Sequence, residues 1–451
     1  MIRTDHRSSR RSGGRALVAG VALLSLAAAA CSDDNKAATP TDAAVTTTAA
    51  TTDTTPATEP TGTEPTGTEP VTTELGPATG EPIVVGLVNT EGTPGLDFPD
   101  IRLDMLAAAD YLNDHGGFGG RPIQLEPCIV KGSPETSQAC AQELVGKNVE
   151  MVMLGLDLFP DYATYGAAEV PVFGVLPILP GDYTAEALFL TGGNATVNAA
   201  MAAVAKDHFD AKTVNIVSSD NPGANASEAA LTASLDIAGI AHKTVKGGDN
   251  ETDAGYQGLM REAAKDNPDL LVSLYSDAGC IGTMRGRAAL GITIPVITTG
   301  ICSSKDVLVV VGDDAVGWMF AGVQTSEDTP ERALLQEILA PVIGVDPADV
   351  DPSALGLGGL GFIEIMSLAD YSQQMAAAGT PVTGASLFDF LKTAQGLTLW
   401  PQGSGSPIEC SSVPAYSAVC SFILPFAEYQ KGGEVLTVPG LEAVSSKDYL
   451  P

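Results

Sequence analysis

The sequence has little positive charge, few aromatic residues and almost no histidine, and each shortage argues against a class of function. Lysine and arginine together number 23 against 55 aspartates and glutamates, so the net charge at pH 7 is −32. A chain this acidic is not expected to bind nucleic acid or an anionic membrane surface. The aromatic content of 5% also disfavours a platform on which bases stack.

The residue patterns of common catalytic and cofactor sites are missing as well. The chain has no G-x-S-x-G, P-loop, H-E-x-x-H or C-x-x-C pattern. None of its four histidines lies beside a cysteine pair or in a loop that follows a predicted strand and is a candidate for ligand binding. We therefore predict no metal, no cofactor and no enzymatic activity. A secreted hydrolase is the less favoured alternative, in which carboxylates such as Asp157 and Asp277 would face each other.

The amino terminus has the pattern of an export signal. A basic segment, an apolar segment and a cysteine follow one another in residues 1–31. The Ala-Ala-Ala-Cys junction is similar to a bacterial lipobox and predicts a lipidated Cys31, with ordinary cleavage after an A-x-A site as the alternative. Residues 32–81, rich in Thr, Pro and Glu, predict a disordered linker. We therefore expect a protein anchored by lipid to the outer face of the cell membrane.

Six further cysteines fall into three pairs that are near in sequence. Disulfides form in exported proteins, so we predict one in each pair. A zinc site is the alternative, which the distant histidines disfavour. The pairs are Cys128 with Cys140, Cys280 with Cys302, and Cys410 with Cys420.

Short apolar segments alternate with helical segments from Ile83 onward. This alternation predicts an α/β fold with parallel sheets that helices cover on both faces. A new series begins near residues 190–198, which indicates a second lobe. The Gly-rich stretch NDHGGFGGRPIQL, residues 113–125, follows a predicted helix and precedes a predicted strand, the reverse of a phosphate-binding loop. It therefore predicts a helix cap and a turn.

Five segments, taken in order, resemble the type I periplasmic solute-binding proteins. The similarity is to the branched-chain-amino-acid-binding-like receptors of ABC transporters, in their actinobacterial lipoprotein form, and it covers about residues 81–440. The segments are IVVGLVNTEG (83–92), AAADYLNDHGGFGGRPIQL (107–125), CIVKGSPETSQACAQELVGKNVEMVMLG (128–155), PDLLVSLYSDAGCIGTMRGRAALGITIPVITTG (268–300) and ECSSVPAYSAVCSFILPFAEYQKGGEVL (409–436).

The resemblance implies two Rossmann-like lobes joined by three crossings, with a ligand held between them. It implies capture of an amino-acid-like or other small metabolite and delivery to the permease subunits of an ABC-type importer, by a monomer. A ligand sensor on the same fold is the alternative. The expected segments are residues 81–192 and 325–396 for lobe 1, 193–324 and 397–440 for lobe 2, and 441–451 for a C-terminal tail.

The loops after the strands supply the candidate ligand contacts, because open α/β sheets bind ligands at the carboxyl ends of their strands. Three of these residues, Asp220, Asn221 and Asp277, can instead cap helices. Phe159 and Leu176 can instead pack under a loop, and Cys302 is expected in a disulfide. Tyr275 is the preferred contact, because a strand-end aromatic offers a wall and a polar tip. The candidates are Asn89, Glu91, Asp157, Leu158, Phe159, Val175 and Leu176 in lobe 1, and Asp220, Asn221, Tyr275, Ser276, Asp277, Ile301 and Cys302 in lobe 2.

The sequence departs from the amino-acid-binding members that it resembles. Those members bind the α-carboxylate with hydroxyl and backbone N–H groups after the third strand, where this chain has Asp157, and the ammonium with an acid in lobe 2. The segment ICSS, residues 301–304, supplies no such acid. We therefore expect leucine, isoleucine and valine to bind weakly. The expected ligand is neutral or cationic, with an apolar part facing Phe159, Leu176 and Tyr275.

Overall fold

The computed structural model describes residues 75–93, 97–323, 329–352, 355–400 and 405–451, and only the backbone of Asp277 and residues 356–358. The predicted signal segment, Cys31 and the linker as far as residue 74 lie outside the described residues. The end of the predicted linker is already attached to the folded body, because the N–H of Ala78 donates to the Asn113 carbonyl (2.8 Å) and that of Thr79 to the Gly120 carbonyl (2.9 Å).

The first sheet consists of five parallel strands. Its second strand from one edge, IVVGLVNT, is almost entirely buried, as expected for a parallel strand that is covered on both faces. The strands are β1 (Ile83–Thr90), β2 (Ile123–Val130), β3 (Met151–Leu154), β4 (Val172–Gly174) and β5 (Leu188–Phe189). Their order across the sheet is β2-β1-β3-β4-β5.

The second sheet has seven strands, of which the first five along the chain are parallel. The seven strands are β6 (Thr213–Ser219), β7 (Ala241–Gly247), β8 (Leu270–Leu274), β9 (Val296–Thr299), β10 (Trp318–Ala321), β14 (Phe426–Tyr429) and β15 (Val435–Thr437). The order is β15-β14-β10-β9-β8-β6-β7, and β14 and β15 are antiparallel additions. Two separate two-stranded pairs also occur: β11 (Leu397–Thr398) with β12 (Pro407–Ile408), and β13 (Ile423–Leu424) with β16 (Val444–Ser445).

Eleven helices occur in the described residues. Their ends follow local rules: α5, for example, begins with Asn221 as N-cap and Pro222 as its first residue, and it ends at a left-handed Gly239. The helices are α1 (Pro99–Asp114), α2 (Pro134–Gly146), α3 (Tyr162–Ala167), α4 (Gly193–Ala203), α5 (Pro222–Ala238), α6 (Asp253–Ala263), α7 (Asp277–Leu290), α8 (Lys305–Val311), α9 (Pro330–Ile343), α10 (Gly356–Ala377) and α11 (Gly384–Thr393).

Helices cover both faces of each sheet. Buried side chains of α1, α9, α10 and α11 pack on one face of the first sheet, and those of α2 and α3 pack on the other. The second sheet is covered by α4 and α5 on one face and by α6, α7 and α8 on the other. The predicted α/β fold with two parallel-sheet lobes is therefore confirmed. No helix in the described residues is long and apolar enough to cross a membrane.

The Gly-rich turn has the predicted structure. All four of its glycines have positive φ, from 55° at Gly117 to 95° at Gly120, and the N–H of Gly117 donates to the Leu112 carbonyl (2.7 Å) as in a helix cap. A Cβ atom on Gly117 would lie 2.1 Å from the Arg121 carbonyl oxygen, so only glycine fits there. The turn leads into the first residue of β2, at the sheet edge opposite the carboxyl ends of the strands.

The segment after residue 396 does not all belong with the second sheet. Leu397, Leu399 and Ile408 are buried in the core of the first sheet, and the N–H of Cys420 donates to the Phe189 carbonyl (2.9 Å) beside β5. This packing favours a lobe boundary later than the expected residue 397, because Leu397, Leu399, Ile408, Cys410 and Cys420 lie in the first core. A third crossing after Cys420 is consistent with these contacts.

The three predicted disulfides are present. Cys128 of β2 is joined to Cys140 of α2, Cys280 of α7 to Cys302 after β9, and Cys410 to Cys420 in the segment beside β5. Each bond closes a sequence separation of 10 to 22 residues. The disulfides thus connect neighbouring elements within the folded body.

Candidate functional site

The two sheets have their topological switch points, where the strand order reverses, at equivalent places. In each sheet the chain reverses its direction of progress between the first and third strands, β1 and β3 in one and β6 and β8 in the other. Open sheets bind ligands outside the carboxyl ends of the strands at such a point. We call the loops at these ends the lobe 1 rim (residues 89–92, 155–159 and 175–177) and the lobe 2 rim (residues 219–221, 248–251, 275–277 and 301–303).

Asn89 joins two loops of the lobe 1 rim. Its Nδ2 donates to Glu91 Oε1 (3.1 Å) and to the Phe98 carbonyl (2.8 Å), and its Oδ1 accepts from the Leu156 N–H (3.0 Å). The side chain is fully buried. Gly155 permits this approach, since a Cβ there would lie 2.8 Å from Asn89 Oδ1. Asn89 therefore supports the rim from within and is not open to a ligand in this conformation.

Glu91 is paired with a cation that the sequence analysis did not identify. Arg102 of α1 donates from Nε to Glu91 Oε1 (2.7 Å) and from a terminal nitrogen to Oε2 (2.9 Å). Lys131 Nζ donates to the Glu91 backbone carbonyl (2.7 Å). Burial acts to raise the pKa of Glu91, but hydrogen bonds from Arg102 and Asn89 bring that pKa below its usual value. The charge of Glu91 is thus balanced inside lobe 1.

Asp157 lies inside its loop and not on the surface. Its Oδ1 accepts from Ser137 Oγ (2.6 Å) and from the Phe159 N–H (3.0 Å), and only 4% of the residue is exposed. Burial raises the pKa of Asp157, against the effect of these two hydrogen bonds. The expectation of an acid facing the ligand, or facing Asp277 in a hydrolytic pair, has no support from this position.

The remaining lobe 1 candidates are apolar and differ in exposure. Val175 is buried, and its carbonyl accepts from both the N–H (3.3 Å) and the Oγ1 (2.6 Å) of Thr191. Leu158 and Phe159 are partly exposed. Leu176 is partly exposed and also packs against the core of the first sheet. Apart from the partly exposed Glu91, which is paired with Arg102, the accessible surface of the predicted lobe 1 contacts is therefore apolar and comes from these three residues.

Asn221 and Asp220 at the end of β6 have different roles. Asn221 is the N-cap of α5, since its Oδ1 accepts from the Ala224 N–H (2.8 Å). Asp220 is exposed, and its backbone N–H donates to the Gly247 carbonyl (2.8 Å) at the end of β7. The helix-cap interpretation therefore holds for Asn221, and Asp220 stays accessible.

Asp249, which follows β7, is a rim residue that the sequence analysis missed. Its Oδ1 accepts from Asn221 Nδ2 (2.6 Å) and from the hydroxyl of Ser219. The residue is exposed, so the carboxylate is oriented by its neighbours and still meets solvent. A signal for it exists in the sequence, because the strand-like segment HKTVK (242–246) comes just before this loop and the strand-end rule extends to it.

Tyr275 is buried, contrary to its expected role as a pocket wall. Only 3% of it is exposed, and its ring packs edge-on against Tyr256 with centroids 5.7 Å apart. Its hydroxyl has no hydrogen-bond partner among the described residues and lies against Gly247, 2.8 Å from where a Cβ would stand. Burial, with the nearby Tyr256, raises the pKa of this hydroxyl above its usual value. Tyr275 therefore packs beneath the rim loops and does not face solvent.

The other lobe 2 candidates surround a buried disulfide. Cys280 and Cys302 are fully buried, and both sulfur atoms lie 3.4 Å from the Tyr275 carbonyl oxygen. Beside them, Ser276 is exposed and Ile301 is 60% exposed. Asp277 is the first residue of α7, and its side chain is outside the described part. The disulfide therefore joins the first turn of α7, which follows Ser276, to the turn that presents Ile301.

The predicted residues thus form two separate sets. Within each rim, hydrogen bonds join neighbouring loops, but in the described residues no hydrogen bond or ion pair joins one rim to the other. Arg102, Ser137 and Asp249 belong to these networks and were not predicted. Nothing in the sequence marks Arg102 or Ser137, because their partners lie 11 and 20 residues away. The described residues contain no group of three His, Cys, Asp or Glu side chains placed to hold a metal ion.

Comparison with known proteins supports the fold over most of the chain. A family model described as periplasmic binding protein matches residues 82–406. No curated protein sequence matches the chain.

Solved structures of low sequence identity share the architecture. An ABC transporter substrate-binding protein from Sphaerobacter thermophilus is 19% identical, with a TM-score of 0.61 over 79% of this chain and 97% of that one. A putative branched-chain amino acid ABC transporter protein from Rhodospirillum rubrum is 14% identical, with a TM-score of 0.62 over 79% of this chain and 100% of that one. A solute binding protein from R. palustris in complex with 4-hydroxybenzoate is 18% identical, with a TM-score of 0.54 over 79% and 95%.

Proposed function

This chain belongs to the periplasmic binding protein family, and we propose that it is an extracytoplasmic receptor that binds a small molecule between its two rims. The observation that supports this most directly is the pairing of two parallel sheets, each with its switch-point loops at the carboxyl edge of its strands. The receptor would deliver its ligand to the permease subunits of an ABC-type importer and would act without catalysis.

The accessible rim residues favour a ligand with an apolar part and an amine or other cationic group. Lobe 1 offers the apolar side chains of Leu158, Phe159 and Leu176. Lobe 2 offers the exposed carboxylates of Asp220 and Asp249 beside Ser276 and Ile301. In lobe 1, by contrast, Glu91 is already neutralised by Arg102. A positive group would therefore be bound by lobe 2.

Matched ligands that differ in charge test this proposal. Leucine, leucinamide, N-acetyl-leucine, benzoate and 4-hydroxybenzoate are first screened by their effect on the thermal midpoint, and calorimetry follows. A ligand at 100 times its Kd should stabilise the protein by about 2.7 kcal/mol. We expect leucinamide, which lacks the carboxylate, to bind more tightly than leucine. Sub-micromolar binding of leucine or N-acetyl-leucine would refute the assigned ligand charge.

The role of Asp249 has a matched control. We expect Asp249→Asn to weaken the cationic ligand by at least about tenfold, or 1.4 kcal/mol. Asp236→Asn removes the same charge from an exposed site on α5 and should leave the affinity unchanged. Equal losses in both variants would indicate a general effect of net charge.

We propose that the mature protein begins at an acylated Cys31 and is held at the outer face of the membrane as a monomer. The lipobox-like junction and the acidic, linker-like segment that follows support this anchor. Mass spectrometry of the amino terminus, with and without globomycin, tests it. A mature chain with an unmodified Cys31 or Ser32 at its start would rule out the anchor.

A further inference from the structure

The last eleven residues, 441–451, are folded against lobe 2 and do not form a loose tail. Leu441 is buried in the core that α4 and α5 share, and Val444 and Tyr449 pack at its edge. The Tyr449 hydroxyl donates to Asp207, in the helical turn that follows α4 (2.9 Å). The backbone N–H and the Oγ of Ser446 both donate to the Phe422 carbonyl (2.8 and 3.0 Å). This end of the chain is therefore fixed to lobe 2.

The segment 407–420, which contains the Cys410–Cys420 disulfide, is fixed instead to lobe 1. The Phe189 N–H of β5 donates to the Ala418 carbonyl (2.7 Å), and the Ala418 N–H donates to the Tyr183 carbonyl (3.0 Å). Ile408, Cys410 and Cys420 are buried in the core of the first sheet. The segment therefore extends the edge of lobe 1 beyond β5.

These two segments meet at three places. Lys447 forms an ion pair with Glu409. The Tyr416 hydroxyl donates to the Pro451 carbonyl (3.0 Å). Leu450 packs against a small buried cluster in which Ala195 of α4 meets Tyr416, Val419 and Phe422, beside Tyr183. The cluster thus contains residues from both lobes and lies at the first and third crossings.

We propose that residues 441–451 are a brace across the hinge, which limits how far the two lobes move relative to each other. One end of the brace is held by α4 and α5, and the other is held by the segment that the Cys410–Cys420 disulfide closes. A change of angle between the lobes must separate or slide the three contacts. The brace acts on the hinge and not on the rims, so it is independent of which ligand binds.

Distance measurements between the lobes test the brace without any ligand. Spin labels introduced as non-natural amino acids at Gln142 of α2 and Ala229 of α5, both exposed, report on the lobe–lobe distance and leave the disulfides intact. The test variant is Leu450→Ser with Tyr416→Phe. We expect a distance distribution roughly twofold broader than that of the parent, as for a released hinge. The matched control is Leu75→Ser with Tyr111→Phe, which should keep the parental distribution.

Hydrogen exchange separates a brace from local packing. In the test variant we expect the amides of Phe189, Ala418 and Cys420 to exchange about tenfold faster, while those of β1 and β8 stay protected. Faster exchange with an unchanged distance distribution would overturn the proposal, because the segment would then only be packed in place. If the double variant does not fold, Lys447→Gln with Glu409→Gln replaces it, and an unchanged distance distribution in that folded variant would overturn the proposal equally.

Discussion

Two asparagines near the carboxyl ends of the first strand of each sheet differ in burial and in role. Asn89, the penultimate residue of β1, is fully buried and makes three hydrogen bonds that join two rim loops to the start of α1. Asn221, after β6, is partly exposed, caps α5 and holds Asp249 at the surface. An asparagine near the end of one strand thus holds the lobe 1 rim together internally, whereas one in the loop just after the other strand orients an exposed acid of the lobe 2 rim.

The contrast extends to charge. The acids whose pKa is raised by burial, Asp104, Asp157 and Glu364, all belong to lobe 1, and Glu91 is paired with Arg102. The rim acids of lobe 2 whose side chains the structure describes, Asp220, Asp249 and Glu251, are exposed. Lobe 1 therefore buries its acids or pairs them with a cation, and lobe 2 leaves charges available for recognition. The predictions below test this difference.

The largest effect is expected for the two asparagines. Asn89→Ala leaves a buried N–H and a buried carbonyl without partners, so we expect it to lower the free energy of unfolding by about 3 kcal/mol. Asn221→Ala removes an N-cap and should cost about 1 kcal/mol. Denaturant unfolding of both variants measures the difference. Equal costs would show that the two rims are built alike.

In lobe 1 we expect the ionisation of one buried acid to change the free energy of unfolding by roughly 2 kcal/mol between low and high pH. Burial, aided by nearby Asp100, raises the pKa of Asp104 to about 7 from an ordinary value of 3.8. The folded state then holds a proton that the unfolded state releases, so stability is greatest below about pH 4 and falls as the pH rises to about 7. Asp104→Asn should therefore stabilise the protein at pH 8 by roughly 2 kcal/mol and have little effect at pH 4. Thermal unfolding at both pH values measures this, and a gain independent of pH would contradict it.

Glu364 of α10 sharpens the same comparison. It is 1% exposed, and neither of its carboxylate oxygens has a partner among the described residues. Burial raises its pKa well above the usual value. We expect Glu364→Gln to increase the free energy of unfolding at pH 8 by on the order of 1 kcal/mol, and so to raise the thermal midpoint. At pH 4 we expect no increase. A lower midpoint at pH 8 would reveal an ionised and stabilised carboxylate.

The smallest effect is expected for two buried tyrosines. The Tyr371 hydroxyl in lobe 1 donates to the Thr398 carbonyl (2.6 Å), so Tyr371→Phe should cost about 1 kcal/mol. The Tyr275 hydroxyl in lobe 2 has no partner among the described residues, so Tyr275→Phe should be neutral or slightly stabilising. Urea unfolding compares them, and a loss in Tyr275→Phe of the same size would indicate a hydrogen bond to bound water.

Much of the fold was predictable because local patterns determine it. The apolar runs from Ile83 to Ala321 correspond to strands, since a run buried on both faces has few other structures available. Gly116 and Gly117 mark a left-handed cap because other residues rarely adopt positive φ. The lobe to which residues 397–400 and 405–420 belong could not be predicted, because these short sequences carry no periodicity and only tertiary packing shows which core they join.

The candidate site was predictable only in outline. The strand-end rule identified the loops, but it did not show that Asn89, Asp157 and Tyr275 lie beneath the surface. Burial depends on partners such as Arg102 and Ser137, which are far away in sequence and have no distinguishing pattern. The sequence therefore predicts which loops form the rims, but not which of their side chains face solvent.

Small-angle scattering with and without a bound ligand tests the central claim most directly. If the two rims enclose the ligand, the radius of gyration of the protein should fall when the tightest-binding compound of the charge-matched panel is added at 100 times its Kd, and a non-binding analogue should leave it unchanged. A compound that binds with sub-micromolar Kd and leaves the scattering profile unaltered would contradict closure of the lobes around the ligand.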